Sequence, residues 1–410
     1  MNARILVLNA GSSSLKFQLL QMPDEDTICK GTAERLGSEN GFLVVEMGGK
    51  EWKEDLGVAD HQRALQRVAE ILGALEASRN TDHPGIHAVG HRVVHGGAEF
   101  SSTTEVTENV KTQIRKLSAL APLHNPKNLE GILLAEALFP KALQVAVFDT
   151  AFHRSIPDRA RFYAIPKALT ESEGIQVYGF HGTSHKYVYE QIAPKLDKES
   201  RVISLHLGNG CSATAIQGGR SVDHSLGFTP SDGLIMGTRS GDIDFGIIFY
   251  LIETLGYSQE AVNTLLNRES GLLGLTGFTD LRDIQQAAAK GDTSCQLAME
   301  MMAYRIRKYI GAYTAAMNGL DALIFTAGMG THSAELRQMV CEDLDVFGIQ
   351  LDQTLNTLSA KGNRAIHQAD SRVQIWVIPT DEELEIARQS YHLLRRGKSL
   401  DPGHRRRPMT

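Results

Sequence analysis

Cysteine is scarce in this chain, and the four present stand apart: Cys29, Cys211, Cys295 and Cys341 form no Cys-x-x-Cys pair. That spacing suggests neither a disulfide framework nor a thiolate zinc centre, and it favours a reducing compartment. Long apolar runs are missing too, so no segment reaches the ~20 residues a membrane-spanning helix needs. The chain enters a strand pattern at once, without a basic segment and a long apolar core, so no secretory signal is expected and the cytoplasm is the expected location. Positive charge is not in excess. With 42 Lys and Arg against 48 Asp and Glu, the formal net charge is −6, which argues against nucleic acid as the main partner. A basic cluster (Arg395, Arg396, Lys398 and Arg405 to Arg407) reads as a solvated tail. No low-complexity linker interrupts the chain. What remains is an ordinary globular composition, 42% hydrophobic and 22% charged, in 410 residues. Such a length exceeds the roughly 250–300 residues that one hydrophobic core serves, so two domains are expected.

The most informative segment runs from Arg4 to Leu19. An apolar run ends in Asn9-Ala10-Gly11-Ser12-Ser13-Ser14, and Leu15, Phe17 and Leu19 then alternate with Lys16 and Gln18. A period of two reads as a strand, so the segment is strand, turn, strand. Small turn residues let backbone N–H groups and hydroxyls approach an anion, and Lys16 adds positive charge beside them. A P-loop would need a second glycine and then Lys-Ser/Thr opening a helix, which this turn lacks. Two readings stand for Ser12 and Ser14: phosphate contact, or hydrogen bonds to the turn backbone. The pattern returns about 200 residues later, where Arg201 to Leu207 runs into Gly208-Asn209-Gly210-Cys211-Ser212 and then Ala213 to Ile216. Recurrence at that distance points to duplicated domains, whose two turns would face one nucleotide cleft.

Between and after the hairpins, several segments carry reactive side chains. Ala88 to Val94 is a strand pattern holding Arg92, and Leu143 to Phe148 delivers Asp149 at its carboxyl end, where α/β sheets bind ligands. Arg92 and Arg239 both stand in Gly-rich settings, where a planar guanidinium suits carboxylate or phosphate oxygens or makes an ordinary ion pair. His181 and His185 could share a helical face as in a zinc hydrolase, but Gly182 stands where that motif needs glutamate. His181 therefore bonds a phosphoryl oxygen or is simply buried, and His124 is open in the same way. Asp149, followed by Thr150, is either a reactive acid or a turn cap. A long helix is predicted over about 296–317 and a strand over 322–326. A turn at Gly328-Met329-Gly330 should follow, with a last helix from Glu382 onward.

Taken together, six stretches in order resemble the acetate kinase family, within the acetate and sugar kinase, Hsp70 and actin superfamily. They are Asn9 to Lys16, His91 to Gly97, Val147 to His153, Tyr178 to His185, His206 to Gly210, and Met236 to Asp244. The resemblance implies an α/β fold of two duplicated actin-like (ribonuclease H-like) βββαβαβα domains: residues 1–150 with the C-terminal helix 383–410, and residues 151–382 as the nucleotide-binding half. It implies reversible transfer of the ATP γ-phosphoryl to acetate, with Mg²⁺ (or Mn²⁺) and ATP/ADP, in a homodimer. On this resemblance Arg92, Val94, Leu123 and His124 would bind the carboxylate. Asp149, His181 and Arg239 would be catalytic, and Asn9 and Glu382 would position the metal. Nucleotide contacts would come from Ser12, Ser14 and Lys16, from His206, Leu207, Gly208, Asn209 and Gly210, from Asp280, Leu281 and Arg282, and from Gly328, Met329, Gly330, Thr331 and His332.

The physics of the implied reaction is consistent with these residues. Acetate is already ionised at neutral pH, so the obstacle is bringing an anion to a polyanion, which arginines and a dication relieve. Direct in-line transfer then needs no covalent enzyme intermediate. Departures from the family bear on specificity. Gly330-Thr331-His332 replaces the usual Gly-Glu-Asn, the stretch before Asp280 is about one residue short, His224 stands where threonine is usual, and Asp244-Phe245-Gly246 is similar to propionate kinases. Propionate kinase and a non-catalytic nucleotide-binding regulator are the alternatives.

Overall fold

The computed structural model describes residues 1–11, 13–78, 85–122 and 124–399; Ser12, Leu123 and the tail from 400, with Arg405 to Arg407, lie outside the described residues. It divides into two compact units, Met1–Ala151 with Asp381–Thr410, and Phe152–Thr380. The breaks expected from sequence fell after 150 and after 382; here Glu382 belongs to the first unit.

In the first unit β1 (Ala3–Ala10), β2 (Ser14–Met22), β3 (Asp26–Glu34), β4 (Gly41–Met47), β5 (Lys50–Gly57), β6 (Ala88–Val93), β7 (Thr104–Glu105) and β8 (Leu143–Phe148) form one sheet. Their order is β5-β4-β3-β2-β1-β6-β8-β7. β1 is central and apolar on both faces, as a strand covered from both sides must be. Its alternate residues serve different cores. Leu6 and Leu8 pack with Ala64, Leu65 and Val68 of the helix His61–Ser78, whereas Ile5 and Val7 pack with Ile386, Ala387 and Tyr391 of the C-terminal helix Glu382–Ser399. Burying each such aliphatic side chain contributes roughly 1.5–3 kcal/mol, so this face fixes the last helix to the sheet. Gly90 of β6 permits the close approach, since a Cβ there would lie 2.5 Å from Ser390 Oγ and 2.7 Å from Ile386 Cγ2. Asp381 caps the helix by accepting the Leu384 N–H at 2.9 Å.

In the second unit β9 (Arg201–Leu207), β10 (Cys211–Gln217), β11 (Arg220–His224), β12 (Ala322–Thr326), β13 (Arg364–Ala365) and β14 (Gln374–Val377) have the order β11-β10-β9-β12-β14-β13. Setting aside β4, β5, β7 and β13, both sheets run third-second-first-fourth-fifth in chain order. In each, the first three strands pair antiparallel and the later two parallel to the first. The duplicated α/β architecture is therefore present strand for strand. One local expectation fails. Gly328-Met329-Gly330 is not an open turn but part of a short helix, Ala327–His332. Ala327 bends the chain with φ +61°, and the Ser333 N–H closes the last turn on the Met329 carbonyl. The long helix is present as Thr293–Ala316. Among the described residues, no helix is long and apolar enough to cross a membrane.

Candidate active site

Parallel strands end together, and in the first unit that edge carries Arg92 and Asp149. Asp149 is fully buried, held by its N–H donating to the Val93 carbonyl at 3.0 Å. Arg92 donates to Asp149 Oδ2 from Nε at 2.9 Å and from Nη2 at 2.6 Å, while its Nη1 has no hydrogen bond among the described residues. The side chain of Arg92 stays 20% exposed, so the ion pair leaves one donor edge for a further anion. Burial alone would lower the Arg92 pKa; the carboxylates of Asp149, Glu382 and Glu383 reverse this and raise it. Glu382, at the start of the C-terminal helix, is pushed up to about 7 by burial and by the charge of Asp149, against the pull of Arg92 and Lys16.

Lys16, exposed on β2, is the cross-strand partner of Asn9. The region is thus rich in acid oxygens whose repulsion a dication would relieve. No group of three or more His, Cys, Asp or Glu among the described residues could hold a metal alone. A carboxylate and an amide oxygen, as Glu382 and Asn9 supply, are donors suited to a hard cation that fills its sphere with phosphate oxygens and water.

Two asparagines that sequence reading did not single out hold this edge. Asn128 accepts from the Val94 N–H at 3.1 Å and donates to the Ala10 carbonyl at 3.0 Å. Asn125 accepts from the His95 N–H and donates to its carbonyl. Both stand in the first turn of the helix Asn125–Leu138, so one helix start ties the ends of β1 and β6. Val94 is buried, and His124 directly precedes that helix.

In the second unit, five histidines converge. His153 Nε2 bonds the Phe180 carbonyl at 2.9 Å, and since a carbonyl only accepts, that nitrogen carries the proton. His224 Nε2 accepts from the Phe180 N–H at 3.0 Å, so its proton is on Nδ1, directed to Thr214 Oγ1 at 2.7 Å. The peptide of Phe180 is thereby clamped on both sides, immediately before His181. Burial holds His153 down at about 3 and His185 and His224 well below the usual imidazole value, with neighbouring histidines adding to the shift of the last two.

His181 has φ +55° and precedes the helix Gly182–Ile192, with its ring stacked on His206 at 4.2 Å. The next turn leaves room for a ligand because Gly210 has no side chain. A Cβ there would lie 3.5 Å from His181 Nε2 and 4.0 Å from Arg239 Nη1. Arg239 is half-buried and donates to the Pro230 carbonyl at 2.8 Å. Among the described residues it has no carboxylate partner, and burial lowers its pKa. A desolvated guanidinium without a counter-charge is a receptor for an anion. Asn209 packs on Gly237, where a Cβ would meet its Oδ1 at 2.0 Å.

A cavity of about 600 Å³ in the same unit is lined by Ala327, Gly328, Thr331, His332, Arg337, Lys361 and Arg364 among others, with no acidic residue in its wall. Ala327 joins it to the glycine turn, for a Cβ on Gly208 would lie 3.6 Å from the Ala327 Cβ and 3.6 Å from His206 Nε2. Arg337, fully buried, donates to the Gly330 and Thr331 carbonyls, both at 2.9 Å, and to Asn356. Met329 and Gly330 are not in the cavity wall, and neither are Asp280, Leu281 and Arg282. Asp280 caps the helix Leu281–Ala289 and pairs with Arg282 at the surface, while Leu281 is core. Gln285 of that helix bonds Ser333 and Glu335, which flank Ala334 of the cavity wall. Leu207 is likewise buried and supports the turn from beneath.

A duplicated actin-like scaffold with a nucleoside-sized cationic cavity, a glycine turn and an uncompensated arginine defines an ATP-type phosphotransferase. The chain belongs to the acetokinase family, whose pattern matches residues 4–388. It is 52% identical over 391 residues to an acetate kinase of Flavobacterium johnsoniae, covering 95% of this chain and 99% of the relative. Among solved structures, a propionate kinase from Francisella tularensis subsp. tularensis superposes with TM-score 0.90 at 41% identity, covering 95% of this chain and 99% of that one. The Porphyromonas gingivalis acetate kinase superposes with TM-score 0.88 at 41% identity, covering 96% and 100%.

Proposed function

We propose that this protein is an acetate kinase, moving the γ-phosphoryl of ATP to acetate by direct, reversible in-line transfer to give acetyl phosphate and ADP. The observation that carries the reading is the convergence of His181 Nε2 and of Arg239, without a carboxylate, on the open side of Gly210. The nucleoside occupies the cavity beside Gly328, Thr331 and His332, and its phosphates run over Gly208 to Gly210 toward Arg239. Pyrophosphate would have no use for a cavity of about 600 Å³, which supports a nucleoside triphosphate as donor. Arg239 and His181 stabilise charge on the phosphoryl in flight. Arg92 binds the acceptor carboxylate through its remaining donor edge, Asp149 keeps that guanidinium oriented, and Val94 with His124 lines the acyl side. Glu382 and Asn9 would hold Mg²⁺ (or Mn²⁺) together with phosphate oxygens, and the ion when bound neutralises phosphate charge.

Propionate kinase is the second reading, because the Francisella propionate kinase and the Porphyromonas acetate kinase are equally similar to this chain, 41% identical each. One methylene in an apolar pocket shifts binding by only ~1–3 kcal/mol, so the two activities differ in degree. Trapping acyl phosphate with hydroxylamine separates them: the assay crosses acetate, propionate and butyrate with ATP, GTP and pyrophosphate. Acetate with ATP should give the highest kcat/KM; no product from any pair would support the regulator instead. The protein acts as a homodimer. In support, Phe245, Phe249, Tyr250 and Leu255 are each more than half exposed within one stretch of the second unit, large apolar side chains of the kind a partner subunit covers. Light scattering should return twice the chain mass, and the mass of a single chain would refute it.

A further inference from the structure

His181 is connected inward as well as outward. Its Nδ1 lies 2.9 Å from Ser212 Oγ, the same oxygen lies 2.8 Å from His185 Nε2, and His185 Nδ1 lies 2.9 Å from Ser204 Oγ. Ser204, Ser212 and His185 are all fully buried, so no bulk water competes along this chain. Ser212 has a single proton to give. With two lone pairs its oxygen can accept from both imidazoles, but it can donate to only one of them.

Only one of the two directions suits a ligand that is an anion. If His181 Nδ1 donated to Ser212, a neutral His181 would present a lone pair from Nε2 to the space beside Gly210. It could donate there only as a cation, next to Arg239 and stacked on His206. If Ser212 donates to His181 Nδ1, the neutral ring presents Nε2–H outward with no added charge. His185 then supplies the proton that Ser212 accepts, and Ser204 donates to His185 Nδ1.

We propose that Ser212 is a positioning residue for phosphoryl transfer. Its hydroxyl, backed by His185, donates to His181 Nδ1 and keeps the proton of His181 on Nε2, where it hydrogen-bonds the phosphoryl group. This rests on the reading of His181 as a phosphoryl donor contact. Ser212 touches no substrate itself. Its removal therefore affects turnover and the state of the His181 ring, leaving substrate binding little changed.

The test has two arms. Imidazole ¹⁵N spectra of the intact protein, with the His181 signals assigned by their loss in His181→Gln, should show Nδ1 bare and Nε2 protonated near neutral pH. In Ser212→Ala the same signals should move toward a mixture of the two forms. The acyl phosphate assay should show kcat lower by about 10- to 100-fold in Ser212→Ala, with both KM values within about threefold, and a recovery in Ser212→Thr, which keeps the hydroxyl. A proton on His181 Nδ1 in the unaltered protein, or an unchanged kcat in Ser212→Ala, overturns the proposal. The spectra need no turnover, so they decide the ring's form even if the unaltered protein makes no acyl phosphate, an outcome that would refute the proposed reaction instead.

Discussion

The two units share a strand order, yet they equip it oppositely. The first places a buried carboxylate against an arginine and adds Glu382, so its charges are largely answered from within. The second places an arginine with no carboxylate partner among the described residues, and behind His181 it buries His153 and His224, whose pKa values burial lowers. An internally paired site suits a small monovalent acid that need only be oriented. An unanswered guanidinium suits a polyanion whose charge rises and falls during the reaction. Duplication supplied one scaffold twice, and the charges at the strand ends gave each copy its task.

The largest expected effect comes from taking the unanswered cation away. Arg239→Ala should lower kcat by about 10²–10³-fold with little change in either KM, since its charge is used most in the transition state. An equal rise in the ATP KM with kcat intact would turn Arg239 into a ground-state contact. The matching change in the first unit, Arg92→Ala, should chiefly raise the acetate KM. It should also destabilise the fold by about 3 kcal/mol, because the buried Asp149 loses the guanidinium that it pairs with. Thermal melts alongside kinetics separate the two consequences; an unchanged melting temperature would mean Asp149 is satisfied without the arginine.

A smaller effect should distinguish the units in acid. His153, His185 and His224 have folded pKa values far below that of the unfolded chain. Below about 6.5 the unfolded state therefore binds more protons, and the stability these residues contribute above that pH is progressively lost as it falls. In the first unit His91 and His95 are lowered to about 4, two groups shifted less. Each unit has its own tryptophan, Trp52 on β5 and Trp376 on β14. In variants with the other tryptophan changed to Phe, Trp376 should report unfolding at a higher pH than Trp52. The reverse order would show that the histidine cluster does not set acid stability.

Much of the scaffold could be read from the chain because its signals are local. Alternation through Leu15, Phe17 and Leu19, and the glycine turn after Leu207, mark hairpins within a few residues, and Asp149 follows its apolar strand directly. The contacts that make the site span longer distances. Arg92 and Asp149 are 57 residues apart, and His224 meets Phe180 across 44, distances at which periodicity carries no information. Glycines suggested a turn at 328–330, but Ala327 redirects the backbone into a helical turn. Asp280 to Arg282 keep their motif while forming a cap, a core contact and a surface pair.

A usable sign of the inner network was there. Ser204 and His206 on β9 alternate with apolar residues, and so do Ser212 and Thr214 on β10. These four are cross-strand partners, His206 with Ser212 and Ser204 with Thr214. A small polar face on two otherwise apolar central strands marks a place where buried hydrogen bonds must be satisfied.

The central claim is that Arg239 and His181 together receive the phosphoryl group. A crystal structure with ADP, Mg²⁺, acetate and aluminium fluoride, a planar mimic of that group, tests it most directly. Fluoride atoms about 3 Å from both Arg239 Nη1 and His181 Nε2 are expected. A mimic bound in line between ADP and acetate, with either side chain turned away from it, would contradict the account.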